Sequence, residues 1–348
     1  MGLQFEDGTR RVSYRYAAIR DGVVFTGLEA VEGAPSISME ATGEIKTSIR
    51  GTFAVPPGVD WLTDTLRPAM VVDGMAYPLG EFVITSVTNR YNGHRVYSAL
   101  EGYDLGVRVQ NGTLDTRITI PWGKRYLEAI QEQLLACGIQ RVLMDPGTDT
   151  IQEDRADWEI GESRLKVVND LLAEINYRTL WFDTTGAARI TKYRQPSPEL
   201  AARTYAAGEM SVIMDETTSS LDTYGAYNDW IAVVSNPDKS LMTARATNDD
   251  PLSALSVQRI GKRTAPIIRL DNIASQAALQ EYVDNVKFRG MASQETVTWA
   301  TANMPHEVGE VIILQHPHLQ GVFEETAWEM TLQAGAEMRH TGKRVVYL

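Results

Sequence analysis

The residues of this chain best placed to do chemistry are its histidines, of which there are five. His316-Pro317-His318 holds two of them at i and i+2, a spacing that points both rings to one side of a strand and can ligate a transition metal. His306 lies ten residues earlier. The triplet has a proline at its centre and no Asp or Glu, and Gln315 to Gly321 reads as an exposed loop. His316 and His318 are therefore the candidates if a metal is held, and no metal is expected. A serine nucleophile on a strand-to-helix elbow needs Gly-x-Ser-x-Gly. The nearest string, Gly161-Glu162-Ser163-Arg164-Leu165, lacks the second glycine, and Ser163 reads as a helix N-cap. Gly123-Lys124 and Gly261-Lys262 lack the upstream glycine and following hydroxyl of a phosphate loop, and no Gly-x-Gly-x-x-Gly occurs. Acid pairs could serve a glycosidase, but Glu324-Glu325 and Asp249-Asp250 read as solvated surface. No catalytic residue and no cofactor site is nominated.

The composition points the same way. The 348 residues are 43 % hydrophobic and 22 % charged, as in an ordinary folded protein of roughly two to four compact units. A net charge of −12 argues against a nucleic-acid-binding surface, which needs clustered Lys and Arg. It suits a wall that DNA passes without sticking. Cys137 is the single cysteine, so no intrachain disulfide or thiolate cluster forms, and its place near the end of an apolar helix pattern suits core packing. The first 30 residues lack a basic start followed by an apolar run, and no stretch reaches the roughly 18 apolar residues of a membrane span. The chain is expected to be made in the cytoplasm, with no membrane insertion. Seven tryptophans, from Trp61 to Trp328, form no stripe and read as core or interface anchors.

The elements that must position these residues are mostly strands. From Ser36 to Phe53 the odd positions carry Ile37, Met39, Ala41, Ile45, Ile49 and Phe53, and the even ones are polar, with Gly43 as a turn or bulge. Asn92-Gly93 between Glu81–Tyr91 and His94–Tyr103 predicts a hairpin. Trp122 to Cys137 predicts a helix ended by Gly138. Ser163 to Ile175 predicts a second, with Asn176 as a left-handed stop. Tyr177–Asp183 and Ala187–Tyr193 read as a hairpin about Asp183-Thr184-Thr185-Gly186. Beyond Pro196 and Pro198 come strands Asp229–Ser235 and Ser240–Thr247, then a helix capped by Ser275 and ended by Gly290. Strands around Val297 and Trp299, Val311–Leu314, Thr326–Leu332 and Arg344–Leu348 follow. There is no internal repeat. The class is α+β, mainly β.

Three groups of strings, taken in order, resemble one family. The first is Arg11-Val12-Ser13-Tyr14 with Ile37 to Phe53. The second is Val167 to Tyr177 followed by Leu180-Trp181-Phe182-Asp183 and Gly186. The third is Tyr227 to Val234, Ile260-Gly261-Lys262-Arg263, the helix from Ser275, and Pro305 to Leu314. They resemble the tail hub proteins of phages and prophages of Gram-positive hosts, a group similar to the T4-type baseplate hub. The resemblance spans about residues 10 to 345. It implies two tail-tube-like β domains, residues 1–112 and 205–302, with a small α+β domain at 113–204 between them. A C-terminal β segment, 303–348, would pack with the α+β domain. It further implies a homotrimer whose six β domains form a pseudo-sixfold ring in the virion tail, lining the DNA channel. The ring would join the tail tube or distal tail protein to the tip, spike or tape-measure protein. A metal on the threefold axis, held by one loop per subunit, is how His316 and His318 would become a site. Ring contacts are expected first along Ile37–Phe53 and Trp230–Thr247. The alternatives are a tail-associated cell-wall hydrolase, or another tail ring component such as the distal tail protein.

Overall fold

The computed structural model describes residues 11–93, 95–208, 213–214, 216–221, 226–234, 241–251, 253, 255–270, 272–292 and 295–346. Strands make up 47 % and helices 16 %, so the helices are attachments to a β framework. The first seven strands are β1 (Val12–Arg20), β2 (Val23–Glu40), β3 (Thr47–Ala54), β4 (Thr65–Val72), β5 (Met75–Pro78), β6 (Phe82–Asn92) and β7 (Arg95–Asp104). They pair in the cyclic order β1-β2-β3-β7-β6-β4 and back to β1, with β5 added outside β4, so the sheet closes into a barrel. Alternation fixes what fills it. Ile37, Met39, Ile49, Phe53, Leu66, Met70, Phe82 and Leu100 form one buried apolar cluster. Burying each of these side chains stabilises by about 1.5–3 kcal/mol. Two Asp-Gly pairs make tight turns, Asp21-Gly22 between β1 and β2 and Asp73-Gly74 between β4 and β5, all four residues having positive φ. The Asn92-Gly93 hairpin is present but shifted by one. Asn92 pairs with Arg95, so Gly93 (φ 59°) is the first loop residue, and His94 lies outside the described residues.

A short helix, α1 (Gly106–Asn111), leads into the α+β unit. Here α2 (Tyr126–Ala136) packs on α3 (Arg164–Glu174), beside a small sheet of β8 (Val142–Met144), β9 (Trp181–Phe182) and β10 (Ala188–Ile190). The Ser163 hydroxyl accepts from the Lys166 amide at 3.2 Å and caps α3, and Asn176, at φ 56°, takes the left-handed stop. Leu165, Val168, Leu171 and Leu172 are buried against Ile130, Leu134 and Trp158. Glu174 is buried at the end of α3, where Arg155 Nη1 donates to both carboxylate oxygens at 2.8 and 2.6 Å and Tyr126 donates at 2.7 Å.

The second barrel departs from the expected boundaries. Its strands are β11 (Ala201–Ala206) and β12 (Thr218–Leu221), with four from the far end of the chain: β16 (Glu295–Ala302), β17 (Val311–His316), β18 (Leu319–Thr331) and β19 (Glu337–Val346). They run β11-β17-β18-β19-β16-β12, with Ile213 bridged to Thr301 of β16, and the sheet curls so that the Tyr205 ring of β11 lies 6.1 Å from the His340 ring of β19, although β11 and β12 do not pair among the described residues. Residues 303–346 are therefore staves of this barrel, not a separate segment on the α+β unit, although Thr184 does donate to Glu307 in the loop before β17. The expected domain 205–302 is split as well. Between β12 and β16 stands an inserted unit: β13 (Asp229–Val234), β14 (Met242–Thr247), α4 (Val257–Ile260), β15 (Ile268–Leu270) and α5 (Gln276–Ala292). Its three strands form their own sheet, β14-β13-β15, covered by α5. Alternation marks a strand but not its partner, and the β11–β17 partners Ala201 and Val311 lie far apart in the chain. Gly290 does not end α5. A side chain there would meet the Trp230 ring at 2.7 Å, so the glycine lets the helix lie against that indole.

The two barrels are joined through their strands. Ser36–Met39 of β2 pair with β3 on one edge, while Ser36–Glu40 pair with Thr331–Ala327 of β18 on the other. One continuous 13-stranded sheet thus runs through both.

Candidate functional site

The interior of the second barrel holds a polar cluster among apolar side chains. His306 comes from the loop after β16, Glu310 stands just before β17, Glu325 lies on β18, His340 on β19, Arg203 and Tyr205 on β11, and Thr301 on β16. Glu325, His306, His340 and Thr301 are each at most 2 % exposed. Period two explains His340, which shares the inward face of β19 with Met338 and Gly342. Glu325 sits at a register shift in β18.

Glu325 bridges the two imidazoles, with Oε2 3.1 Å from His306 Nδ1 and Oε1 2.5 Å from His340 Nδ1. Glu310 Oε2 is also 3.1 Å from His306 Nδ1 and accepts from Arg203 Nε at 3.0 Å. The outer nitrogens are engaged too, His306 Nε2 with the Tyr205 hydroxyl at 2.8 Å and His340 Nε2 with Thr301 Oγ1 at 2.9 Å. Burial opposes every charge here. For His306 the two carboxylates outweigh burial and hold its imidazole above the usual range. For His340 burial wins and pushes it down. Glu310 is pulled to about 2 against burial by His306 and Arg203, and Glu325 is lowered against burial by both histidines. These directions favour the charged form of His306 beside the two carboxylates and the neutral form of His340. Two imidazoles and a carboxylate with donor atoms within 4.8 Å of one another are metal ligands in type. A divalent ion would have to displace the His306 proton and both Nδ1 hydrogen bonds. The arrangement ties β11, β16, β18, β19 and the loop before β17 together by hydrogen bonds.

Outside the barrels, the surface presents features suited to contact with other chains. The outer part of β6, Thr85–Asn92, is exposed throughout, including Tyr91, and the start of β2 exposes Val23, Val24 and Phe25. Among the described residues of the large sheet, β5, β11 and β12 pair on one side only.

No protein-family model matches the chain, and no curated sequence matches it. Solved structures do. A tail protein from Neisseria meningitidis is similar with a TM-score of 0.68 at 14 % identity, over 95 % of this chain and 97 % of that one. The 43 kDa tail protein of prophage MuSo2 from Shewanella oneidensis gives 0.65 at 10 % identity, over 96 % and 98 %. Prophage tail protein gp18 from Listeria monocytogenes gives 0.58 at 12 %, over 94 % of each. The fold is that of phage and prophage tail proteins. An Escherichia coli component of the type VI secretion system, itself described as similar to the T4 tail proteins gp27 and gp5, shares it at a TM-score of 0.51.

Within this tail-protein fold the sequence-derived candidates lie at different places. His316 and His318 occupy a tight hairpin between β17 and β18, not a loop, with ring centroids 5.8 Å apart and His316 Nδ1 accepting from the His318 amide at 3.3 Å. His306 is buried inside the barrel, away from that tip. The pair Glu324-Glu325 is not solvated surface, since Glu325 is fully buried between two histidines. Asp249 and Asp250 are exposed. Of the stretch Trp230–Thr247, Trp230–Val234 and Met242–Thr247 belong to the inserted sheet instead of either barrel, and residues 235–240 lie outside the described residues. The centre around Glu325 had one legible signal, the place of His340 on the inward parity of a strand.

Proposed function

We propose that the chain is a structural hub of a phage or phage-derived tail tip, without enzymatic activity. Three copies form a pseudo-sixfold ring that joins the tail tube or distal tail protein to the tip, spike or tape-measure protein. The ring encloses the channel through which DNA passes unbound. The observation that carries this reading is the β2–β18 pairing, which joins the two barrels in one continuous sheet. A single subunit then supplies two neighbouring positions of a six-position ring, and threefold symmetry supplies the rest. Strands β5, β11 and β12, each paired on one side among the described residues, and the exposed apolar start of β2 are the surfaces such a ring would use, an obligate ring burying on the order of 2,000 Å². The net charge of −12 favours transit of DNA over binding. Native mass spectrometry of the purified chain, alone and with a tube or distal tail partner, tests it. The expected species has three times the 38.6 kDa of one chain. A six-copy ring would move the assignment to another tail ring component, and a chain that stays single with every partner would remove the hub reading.

A further inference from the structure

Where the two barrels, the α+β unit and the inserted unit meet, they enclose a cavity of about 420 Å³. Four cations line it, each from a different element: Lys46 from the β2–β3 turn, Arg178 from the segment after α3, Arg289 from α5 and Lys343 from β19. In a chain of net charge −12 this cluster runs against the average. Opposing it is Glu324, which stands across from Lys343 on the neighbouring strand. Glu325 also borders the cavity, but its carboxylate turns into the barrel toward His306 and His340.

Two of the cations, Lys46 and Arg178, donate to main-chain carbonyls. The buried Lys46 ammonium donates to the Ala41 and Gly43 carbonyls at 3.0 and 2.6 Å, and Arg178 Nη2 donates to Val308 O at 3.3 Å. Arg289 lies 3.9 Å from the centre of the Tyr193 ring. Burial, then the neighbouring Arg178, push the Lys46 ammonium down against the opposing charges of Asp104, Glu40 and Glu44. Burial, together with Arg289, pushes Arg178 down although Glu324 opposes this. Like charges gathered on the walls of a half-enclosed space raise its energy, and an anion among them lowers it. Arginine and lysine together are the side chains that recognise carboxylate and phosphate oxygens.

We propose that this cavity is a binding site for an oxyanion, a carboxylate or phosphate group on a ligand small enough to enter beside Trp181 and Tyr193. The site is independent of the ring reading, since all four cations come from one chain. Calorimetric titration of the full chain at fixed ionic strength, with inorganic phosphate, citrate and a capped tri-glutamate peptide as probes, tests it. The expected result is saturable binding of at least one probe, weakened about tenfold or more by Arg178→Gln. Rim variants Arg289→Gln and Lys343→Gln should each weaken it less, and they keep the test decisive should Arg178→Gln fail to fold. Arg90→Gln, on the distant β6–β7 hairpin, should leave it unchanged. The probe that saturates identifies the source as phosphate, a small acid or an acidic peptide. Absence of saturation by all three up to about 10 mM, or equal binding by wild type and the cavity variants, overturns the proposal.

Discussion

The two barrels enclose different interiors with the same kind of strand. The first fills its centre with Phe53, Phe82, Ile37, Ile49 and Leu66. The second has apolar walls, Val297, Trp299, Ile312, Leu314 and Phe323, around a hydrogen-bonded group of His306, Glu310, Glu325, Arg203 and His340. An apolar core is tolerant, because losing one side chain costs its own burial and the hole it leaves. An ion network is not, because each member compensates the burial of the others. The network also draws on residues from Arg203 to His340, so it completes only when both ends of the barrel's chain are in place. Its hydrogen bonds tie together strands of a barrel interrupted by a 226–292 insertion.

The sharpest way to break this contrast is Glu325→Ala. It leaves the His306 imidazolium with one counter-charge fewer and should cost about 3–5 kcal/mol. Hydrogen exchange should then show β16–β19 opening while β1–β7 stay protected; equal loss in both barrels would show that they unfold as one unit. Phe53→Ala should cost a similar 3–5 kcal/mol by leaving a cavity in the first barrel. Phe53→Leu, however, should cost under about 1.5 kcal/mol, a graded response that Glu325→Gln should not share. Denaturant titration of the four variants checks this.

A smaller effect concerns pH. Burial, then the nearby charges of Asp183 and Glu310, raise the Glu307 carboxyl to about 7 despite its hydrogen bonds from Thr184. A carboxyl that titrates higher folded than unfolded favours folding while protonated. Its contribution is full below the ordinary 4.5 and is lost as the pH rises through about 7. The stability difference between Glu307→Gln and wild type should therefore shift in favour of the variant between pH 5 and 8, read from melting temperatures. A constant difference across that range would place the Glu307 pKa in the ordinary range. The smallest effect is Ser163→Ala, about 1 kcal/mol from the lost cap on α3, with faster amide exchange confined to the first turn.

What could be read in advance follows from the range of the interactions. Helix caps are local, so Ser163, Asn176 and Ser275 announced their elements, and the strand parity of Ile37 to Phe53 predicted which side chains face inward. Two Asp-Gly turns, at Asp21 and Asp73, carried an equally local signal and mark strands that the hydrophobic alternation left unassigned. Partner choice is not local. Nothing around Ala327–Thr331 says that it pairs with Ser36–Glu40, and so the C-terminal strands looked like an appendage instead of half a barrel. Glu325 was hidden for the same reason. A carboxylate beside another carboxylate reads as surface until His306 and His340, each fifteen or more residues distant, are brought against it.

The central claim is that one chain supplies two adjacent barrels to a threefold ring. Electron cryomicroscopy of the assembled ring tests it most directly. The account predicts three copies and six barrels around an open channel, with β2 and β18 paired within each copy. A ring of six copies, each placing one barrel on the channel wall, or a particle with no channel between the copies, would contradict it.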